Sequence, residues 1–564
     1  MIDRSAFEDL VRHGYDFTGE TLQGLDLTGA SLSGAQLGGS IWRDVDLREA
    51  DLTGANLDGV KVLGGDLSTA RLAGASLRET VMVNVTLRDA VAPQARLEGL
   101  KASGCDLTGA VLTDVTMAEA QLPRCRLVGV DLSRARIEGL WLQHAVCDDA
   151  SFTEATLADV VWIDTVARRA RFERASIERW MCMGSDFHGA EFIEASLAAT
   201  SFRGCDLRAA RLPRTMTRVV FDDTTLGDPD TLIDLRGRRL EKTILSEANL
   251  RRADLRGADL THAVLMGVDL RDAELDEAVL SSTILTHANL QGTNLRGQRL
   301  NAVVLYAANL AAADLRGCIV ELSMLDDTDL RGADLAHASF RQVSLTGANV
   351  EGARLEGTAF EGTDVSGVDW STTDMVGLSF VRCNFKGCAF ENKRFSRCDF
   401  TGSDFTDAEL TGAVFDRCIL TQANFQRARL ADARFITPDA KGVFFGDALL
   451  EGARVEEGRL RYATLTGARA AGSSWPKCDL RDALGERVDL TRSDLREARL
   501  DHFDLSHARL DGADVRGADL SGANLHGVSE EATRYDGATM TRTKRDDPER
   551  LAAEAWRPPP REAP

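Results

Sequence analysis

The chain has 564 residues and a formal net charge of −21 at pH 7. Because phosphate contact needs a basic surface, this charge argues against direct nucleic-acid binding. The first residues, MIDRSAFEDL, lack a basic and apolar signal segment, and no run approaches the roughly eighteen apolar residues of a membrane span. We therefore expect a cytoplasmic protein without a membrane span, and export without a signal sequence stays open.

A short helix is predicted within residues 1–16. Ser5 and Glu8 form a capping box, and Gly14 can end the helix that follows. Phe7 and Leu10 would lie on its apolar face. We expect this helix to cap the coils that follow, because a first coil exposes an unpaired strand edge.

Within residues 17–212, every fifth residue is large and apolar, with few exceptions. We name this place in each pentapeptide position i. The exceptions are Ala92, Ala102, Cys147, Ala167 and Cys182. Five steps drift about 140° around a helix and end on the opposite face of a strand, so neither element buries these residues together. A fixed short period indicates a solenoid, in which the chain turns a corner once per pentapeptide. Position i−2 is mostly small and also inward.

The five-residue spacing breaks within residues 213–234. The gap between Leu212 and Leu235 predicts two four-residue insertions, a basic one at PRTMTR (213–218) and an acidic one at GDPDT (227–231). The break is interpreted either as a kink or bulged corner in one rod, or as a loop that binds a partner.

The spacing resumes in residues 235–540 and does not change between Leu235 and Leu525. Residues 541–564 are predicted to hold a short helix (547–556) and a proline-rich tail, which either caps the last coil or stays disordered. The residues we expect in the core of this second region include Leu250, Leu255, Leu260, Leu265, Leu275, Phe395 and Phe400.

Several pentapeptides carry a family resemblance. ADLRG at 253–257 and 313–317, ADLTG at 50–54, ANLDG at 55–59 and ANLHG at 523–527 resemble the A(D/N)LxX unit of the pentapeptide-repeat family. The resemblance spans most of the chain. It implies an all-β fold, a right-handed quadrilateral parallel β-helix in which four pentapeptides make one coil and residues twenty apart stack. It also implies a bacterial protein and allows a homodimer through a terminal helix.

The sequence offers little that resembles an active site. The nine histidines are scattered, and the acidic residues recur at outward repeat positions, which explains their spacing without catalysis. We therefore predict no enzymatic activity and no cofactor.

The eleven cysteines all fall on inward positions, where cysteine acts as a small apolar residue. Cys383, Cys388 and Cys398 share one predicted coil, with Lys393 at its fourth small site. Three thiols around an axis are a candidate metal site. Simple packing is the favoured interpretation, with no metal bound and with Lys393 extending past the core to water.

The outward positions mix both signs of charge. One predicted face carries an acidic column and, beside it, a basic column of Arg256, Arg296 and Arg316. Exposed pairs of this kind are worth about 0–1 kcal/mol each, and they dilute the continuous negative field that a DNA mimic needs. The most acidic stretch is 321–380, where Asp326, Asp327 and Asp329 form a candidate partner surface.

The favoured function is a non-enzymatic rigid scaffold that presents long faces to a protein partner. Similarity to large bacterial pentapeptide-repeat proteins adds the hypothesis of an accessory or cargo protein of type VI secretion. The alternative is a DNA-mimicking modulator of DNA gyrase or topoisomerase, as some members of the family are. An enzyme or metal protein is the third class.

Overall fold

The structure, a computed structural model, describes residues 3–227 and 233–556. It contains two compact units, residues 1–289 and 290–564. Both units are parallel β-solenoids with very short strands, and the described residues also include two short helices. Neither helix has the length or the apolar character needed to cross a membrane.

Each pentapeptide forms one side of a coil and one corner. The Leu27 amide donates to the Asp46 carbonyl of the next coil at 2.7 Å, while the Leu27 carbonyl accepts from the Ala30 amide at 2.9 Å. Gly29, at position i+2, adopts a left-handed φ of 62°. This conformation turns the chain, so the next pentapeptide starts a new side.

Pairing between coils shows four sides. Along one coil of unit 1, each bridge joins residues twenty apart: Leu22 with Trp42, Asp26 with Asp46, Ser31 with Asp51, and Gln36 with Asn56. Four pentapeptides therefore complete one coil, and the predicted all-β, four-sided parallel β-helix is confirmed.

The strands of unit 1 lie on two of its faces. The first face contains β1 (Thr21–Gln23), β2 (Ile41–Arg43), β3 (Lys61–Leu63), β4 (Val81–Val83), β5 (Lys101–Ser103), β8 (Trp141–Gln143), β10 (Val161–Ile163), β12 (Met181–Met183), β14 (Ser201–Arg203) and β16 (Val220–Asp222). The neighbouring face contains β6 (Thr116–Ala118), β7 (Arg136–Glu138), β9 (Thr156–Ala158), β11 (Ser176–Glu178), β13 (Ser196–Ala198) and β15 (Thr215–Thr217).

The strands of unit 2 also form two sheets. One contains β17 (Arg299–Asn301), β18 (Ile319–Glu321), β19 (Ser339–Arg341), β20 (Ala359–Glu361) and β22 (Ser379–Val381). The other contains β21 (Met375–Val376), β23 (Arg394–Ser396), β24 (Val414–Asp416), β25 (Arg434–Ile436) and β26 (Arg454–Glu456). All of these strands pair in parallel.

The core of each unit is filled by the residues at position i. Phe395 stacks on Phe415 with ring centroids 4.8 Å apart, and Phe380 stacks on Phe400 at 5.6 Å. The expected core residues are at most 1% exposed: Leu250, Leu255, Leu260, Leu265, Leu275, Phe395 and Phe400.

The small position i−2 has a polar role where it holds a hydroxyl. Thr80 Oγ1 donates to the Leu57 carbonyl, and Thr358 Oγ1 donates to the Leu335 carbonyl, both at 2.8 Å. Each acceptor lies in the preceding coil. Each carbonyl also accepts the amide three residues on, so the hydroxyl adds a second bond that joins one coil to the next and gives the buried hydroxyl the partner it needs.

The N-terminal helix α1 runs from Arg4 to Arg12, and its N-cap is Asp3, not the predicted Ser5. Asp3 accepts from the Ala6 amide at 2.9 Å, which leaves Glu8 free to accept from the Ser31 amide at 3.0 Å. Phe7 is 1% exposed and stacks on Phe17 with centroids 4.4 Å apart. The helix therefore covers the first coil through Phe7, while Leu10 is half-buried.

The predicted insertion at 213–218 is wrong. Met216 is fully buried and pairs with Leu197, nineteen residues earlier, and Phe221 pairs with Phe202 in the same way. Met216 is therefore the position-i residue that follows Leu212, and this corner is one residue shorter than the others. The Arg238 guanidinium donates to the Leu212 carbonyl, which in an ordinary corner accepts from the amide three residues on.

A second irregular step follows. Val220 bridges Ile244, twenty-four residues later, and from Asp234 with Asp254 onward the spacing is again twenty. Four added residues therefore lie between Leu226 and Leu235. The predicted acidic insertion at 227–231 falls in this interval, but residues 228–232 lie outside the described residues.

Helix α2 (Pro548–Ala555) follows the last coils of unit 2, with Asp547 as its N-cap. The proline-rich segment 557–564, predicted as a tail, lies outside the described residues.

Leu255→Ala should lower the free energy of unfolding by about 2–5 kcal/mol, because it opens a cavity that the stacked coils cannot close. Arg256→Ala, one residue away on the exposed side, should cost only about 0–1 kcal/mol. Denaturant unfolding followed by circular dichroism measures both. Equal losses would contradict the inward assignment of position i.

Candidate interaction surfaces

One face of unit 1 has a column of mostly apolar side chains at position i−1, of which Met181 is exposed and the others are half-buried. Parallel pairing stacks these residues from β8 to β16 and then through isolated bridges as far as Ile284. The eight residues, which we name the apolar stripe, are Trp141, Val161, Met181, Ser201, Val220, Ile244, Val264 and Ile284. At about 4.8 Å per coil, the apolar stripe is roughly 34 Å long.

A companion column at position i+1 lies beside the apolar stripe. Its residues are Gln143, Ile163, Met183, Arg203, Asp222, Ser246, Met266 and Thr286. The two charged members neutralise each other, since Arg203 Nε lies 3.1 Å from Asp222 Oδ2. Met181 is 49% exposed and Met266 is 44% exposed, so solvent reaches both columns.

The neighbouring face is polar at position i−1 in seven of the same eight coils, and the eighth coil has the exposed Val279. The polar residues are Arg136, Thr156, Ser176, Ser196, Thr215, Arg239 and Asp259. Coils therefore stack equally well with polar outward residues, and their pairing does not require apolar side chains at this position. A largely apolar column that solvent reaches and that pairing does not require is typical of a protein interaction site.

The predicted charged residues of unit 1 pair locally. Arg256 Nη2 lies 2.6 Å from Asp254 Oδ2, and Arg256 Nε lies 3.0 Å from Glu274 Oε2. The hydrogen bonds from Arg256 lower the pKa of Asp254 below its ordinary value. Arg236 Nε also lies 3.1 Å from Asp254 Oδ2. This part of the surface is a chain of alternating charges.

In unit 2 the same pattern recurs. Arg316 Nη2 lies 2.5 Å from Asp314 Oδ2, and the Arg296 amide donates to Asn294 Oδ1 at 3.1 Å. Each of these side chains closes a turn within its own pentapeptide.

The three acidic candidates of segment 321–380 differ in their surroundings. Asp329 Oδ2 lies 2.7 Å from Arg331 Nη2, and these hydrogen bonds lower the pKa of Asp329. Asp326 accepts from the Ser344 hydroxyl, and Asp327 is exposed at a left-handed corner. The local charge is therefore weaker than the number of acids suggests.

The structure does not bring Cys383, Cys388 and Cys398 together. Their thiols donate to three different carbonyls of the preceding coil, those of Phe360, Val365 and Met375. Burial raises the pKa of the Cys383 thiol to about 12 and that of the Cys388 thiol to about 11. These cysteines lie at the hydrogen-bonding position that threonine occupies elsewhere.

Lys393 does not extend past the core to water as expected. Its Nζ donates to the carbonyls of Trp370, Ser371 and Thr373 at 2.6, 3.0 and 2.5 Å. The ammonium group therefore satisfies one irregular corner of the preceding coil, where the short strand β21 begins.

A cluster of His507, His526 and Glu554 joins helix α2 to the last coils of unit 2. Glu554 Oε2 lies 3.2 Å from His507 Nε2 and 3.3 Å from His526 Nε2. Among the described residues, this is the only group of three or more histidine, cysteine or acidic side chains whose possible ligand atoms all lie within 4.8 Å of one another.

The geometry of this cluster favours a hydrogen-bonded contact. The Asp547 amide donates to His526 Nδ1 at 3.1 Å, so the neutral ring carries its proton on Nε2 and donates it to Glu554. A metal ion would need that nitrogen unprotonated. The scattered histidines of the sequence thus include two, nineteen residues apart, that meet because Leu505 and Leu525 lie in successive coils.

Comparison with protein families gives one match. The model described as pentapeptide repeats matches well over half of the chain, at residues 26–62, 94–128, 182–215, 233–272, 263–301, 283–321, 323–362, 379–417, 398–436, 463–501 and 489–527. The chain belongs to the pentapeptide-repeat family. Proteins of this family are typically non-catalytic. A comparison with curated protein sequences gives no match.

Solved structures of other pentapeptide-repeat proteins are similar over part of the chain. Trypsin-treated QnrB1, a plasmid-mediated fluoroquinolone resistance protein, is 23% identical and covers 32% of this chain and 95% of its own, with a TM-score of 0.23. HetL, a protein involved in heterocyst differentiation regulation in the cyanobacterium Nostoc, is 22% identical and covers 59% and 97%, with a TM-score of 0.15. Rfr23 from the cyanobacterium Cyanothece is 16% identical and covers 36% and 91%, with a TM-score of 0.08.

The apolar stripe was missed by the sequence analysis, although its signal is present. Position i−1 is polar in most pentapeptides, and it is apolar in every fourth one from Val220 to Ile284. Recognising the column also requires the correct step at Met216, because a wrong insertion there moves Trp141 and Val220 to different faces.

Glu554→Ala should release helix α2, because one carboxylate oxygen holds both histidines. We expect faster amide hydrogen exchange in residues 550–555, measured by mass spectrometry. Glu549→Ala, an exposed change in the first turn of the same helix, is the control and should have little effect on those amides. Unchanged exchange in Glu554→Ala would mean that the cluster does not hold the helix.

Proposed function

We propose that this pentapeptide-repeat protein is a non-catalytic scaffold that binds proteins through the apolar stripe. The observation that carries the proposal is the run of seven apolar residues and one serine along one face, beside a face that is polar in seven of the same eight coils. Burying such a column on a partner is favourable by about 25 cal/mol for each Å² of apolar surface removed from water.

The surroundings of the apolar stripe support this function. Its only charged neighbours in the companion column, Arg203 and Asp222, pair with each other, so a partner would not have to leave an isolated charge buried. The face is also a sheet of short paired strands, which holds its side chains in fixed positions. A rigid surface loses little conformational freedom when a partner binds.

We place this scaffold in a bacterial cytoplasm, as the sequence suggests, and export without a signal sequence stays open. If the scaffold serves type VI secretion as an accessory or cargo protein, the bound partner is a component of that machinery.

The alternative function, DNA mimicry toward gyrase or topoisomerase, requires a continuous negative surface. The pairing of Asp254 with Arg256, of Asp314 with Arg316 and of Asp329 with Arg331 argues against it. A terminal-helix homodimer also stays a proposal, since Trp556 beside α2 is 68% exposed.

Site-specific photo-crosslinking tests the scaffold function. With p-benzoylphenylalanine at position 161, on the apolar stripe, we expect crosslinked protein bands after irradiation of cells that naturally contain the chain. The control is the same probe at position 156, which lies in the same coil on the polar face. Bands at both positions, or at neither, would contradict a binding role for the stripe.

A supercoiling assay tests the alternative. We expect the purified chain not to inhibit DNA gyrase, because pairs such as Asp254 with Arg256 and Asp329 with Arg331 interrupt its negative surface. Inhibition that disappears when Asp326, Asp327 and Asp329 are all changed to Lys, and that weakens with added salt, would favour DNA mimicry instead.

A further inference from the structure

We infer that the partner of the apolar stripe is a second copy of this chain, bound face to face with its coils in the opposite order. The inference rests on the proposed binding role of the stripe and names its occupant. The arrangement is a two-fold dimer whose axis lies in the interface, parallel to the strands, and passes between the coils of Ser201 and Val220.

This axis pairs each coil with a defined coil of the second copy. Because the axis is parallel to the strands, the apolar stripe of one copy lies on the apolar stripe of the other, in reverse order. The eight coils then meet in four kinds of pair: Trp141 with Ile284, Val161 with Val264, Met181 with Ile244, and Ser201 with Val220. Three of these four pairs are wholly apolar.

Most of the companion columns match in the same register. Ile163 lies opposite Met266, and Gln143 lies opposite Thr286, whereas Met183 lies opposite the polar Ser246. Arg203 of each copy lies opposite Asp222 of the other. Arg203 and Asp222, which already form an ion pair within one copy, therefore form two more pairs across the interface. Each of the four charges then has an opposite charge in both copies.

The charges also select this register over its neighbours. Moving the axis by half a coil spacing to the coil of Ser201 places Arg203 opposite Arg203, and moving it to the coil of Val220 places Asp222 opposite Asp222. Like charges brought together at a buried interface cost several kcal/mol. A two-fold axis along the solenoid instead would lay the apolar stripe on the companion column and bury Val220 against Asp222.

The repeat distance favours a second copy over an unrelated partner. Side chains of the apolar stripe recur at about 4.8 Å, the spacing of neighbouring strands. Another solenoid has the same spacing, so its side chains stay in step over all eight coils. The turns of an α-helix recur at about 5.4 Å and drift out of step by about 4 Å over the same length.

The edges of the face are compatible with this dimer. On one edge, Gly184 lies opposite Glu247, and Gly204 lies opposite Asp223. On the other edge, Arg179 would lie near Lys242, but Asp159 Oδ1 already lies 2.7 Å from Arg179 Nε and compensates its charge.

The two columns contribute sixteen residues per copy, fewer than the roughly 20–30 per side of a standard interface. We therefore expect a reversible dimer whose measured mass depends on concentration.

A charge-exchange experiment with the full chain tests the inference. Sedimentation across a concentration series should show the wild-type chain approaching twice its mass of 61.2 kDa. Arg203→Asp alone and Asp222→Arg alone should each weaken the dimer at least tenfold, because both place like charges opposite each other. An equimolar mixture of the two variants should restore the dimer, since the new carboxylate at position 203 of one variant then meets the new guanidinium at position 222 of the other. Circular dichroism confirms that each variant is folded.

Three results would overturn the inference. A wild-type chain that stays at 61.2 kDa at every concentration excludes the dimer. A dimer that survives both single variants, and is lost when residues 547–564 are removed, places the interface at the terminal helix. Variants that are monomeric alone and in the mixture exclude the proposed register.

The photo-crosslinks at position 161 separate this inference from the proposed function. Crosslinks to a second copy support both. Crosslinks only to another protein retain the binding role and overturn the dimer, and the absence of any crosslink overturns both.

Discussion

Every side of this protein depends on one repeated backbone arrangement. The amide of the inward residue donates to the next coil, its carbonyl accepts from the amide three residues on, and a left-handed residue between them turns the chain. Since these bonds use the backbone, the pairing between coils does not depend on the outward side chains. The contrast between Val161 and Thr156, in one coil and equally well paired, follows from that freedom.

The inward side chains add further hydrogen bonds between coils to those of the backbone. Threonine, serine and cysteine at the small position donate to carbonyls of the preceding coil, and Lys393 and Arg238 do so where a corner is irregular. The cysteines are therefore better understood as hydrogen-bond donors of suitable size than as candidate ligands. Their spacing resembles a metal site only because the solenoid repeats its small positions around one axis.

The five-residue spacing, together with family units such as ADLRG, was sufficient to predict the coil, its core residues and the sign pattern of its surface. Other features depended on choices that spacing cannot make. Phe221 lies nine residues after Leu212. The spacing fits a pentapeptide with four inserted residues as well as a four-residue unit followed by a pentapeptide. The burial of Met216 and its pairing with Leu197 show that the second division is correct. Ser5 satisfies the capping-box rule, but Asp3 caps the helix because Glu8 binds the Ser31 amide. The apolar stripe recurs every twenty residues, so it becomes visible only after each face has been assigned.

The irregular corners also bear on how such a gene changes length. One corner of unit 1 has one residue fewer than the others, and four residues are added between Leu226 and Leu235, yet Val220 still bridges Ser201 on one side and Ile244 on the other. The described coils on either side keep their alignment despite the difference in length. Duplications and deletions in this repeat array therefore need not come in multiples of five codons, provided that they fall where the chain turns.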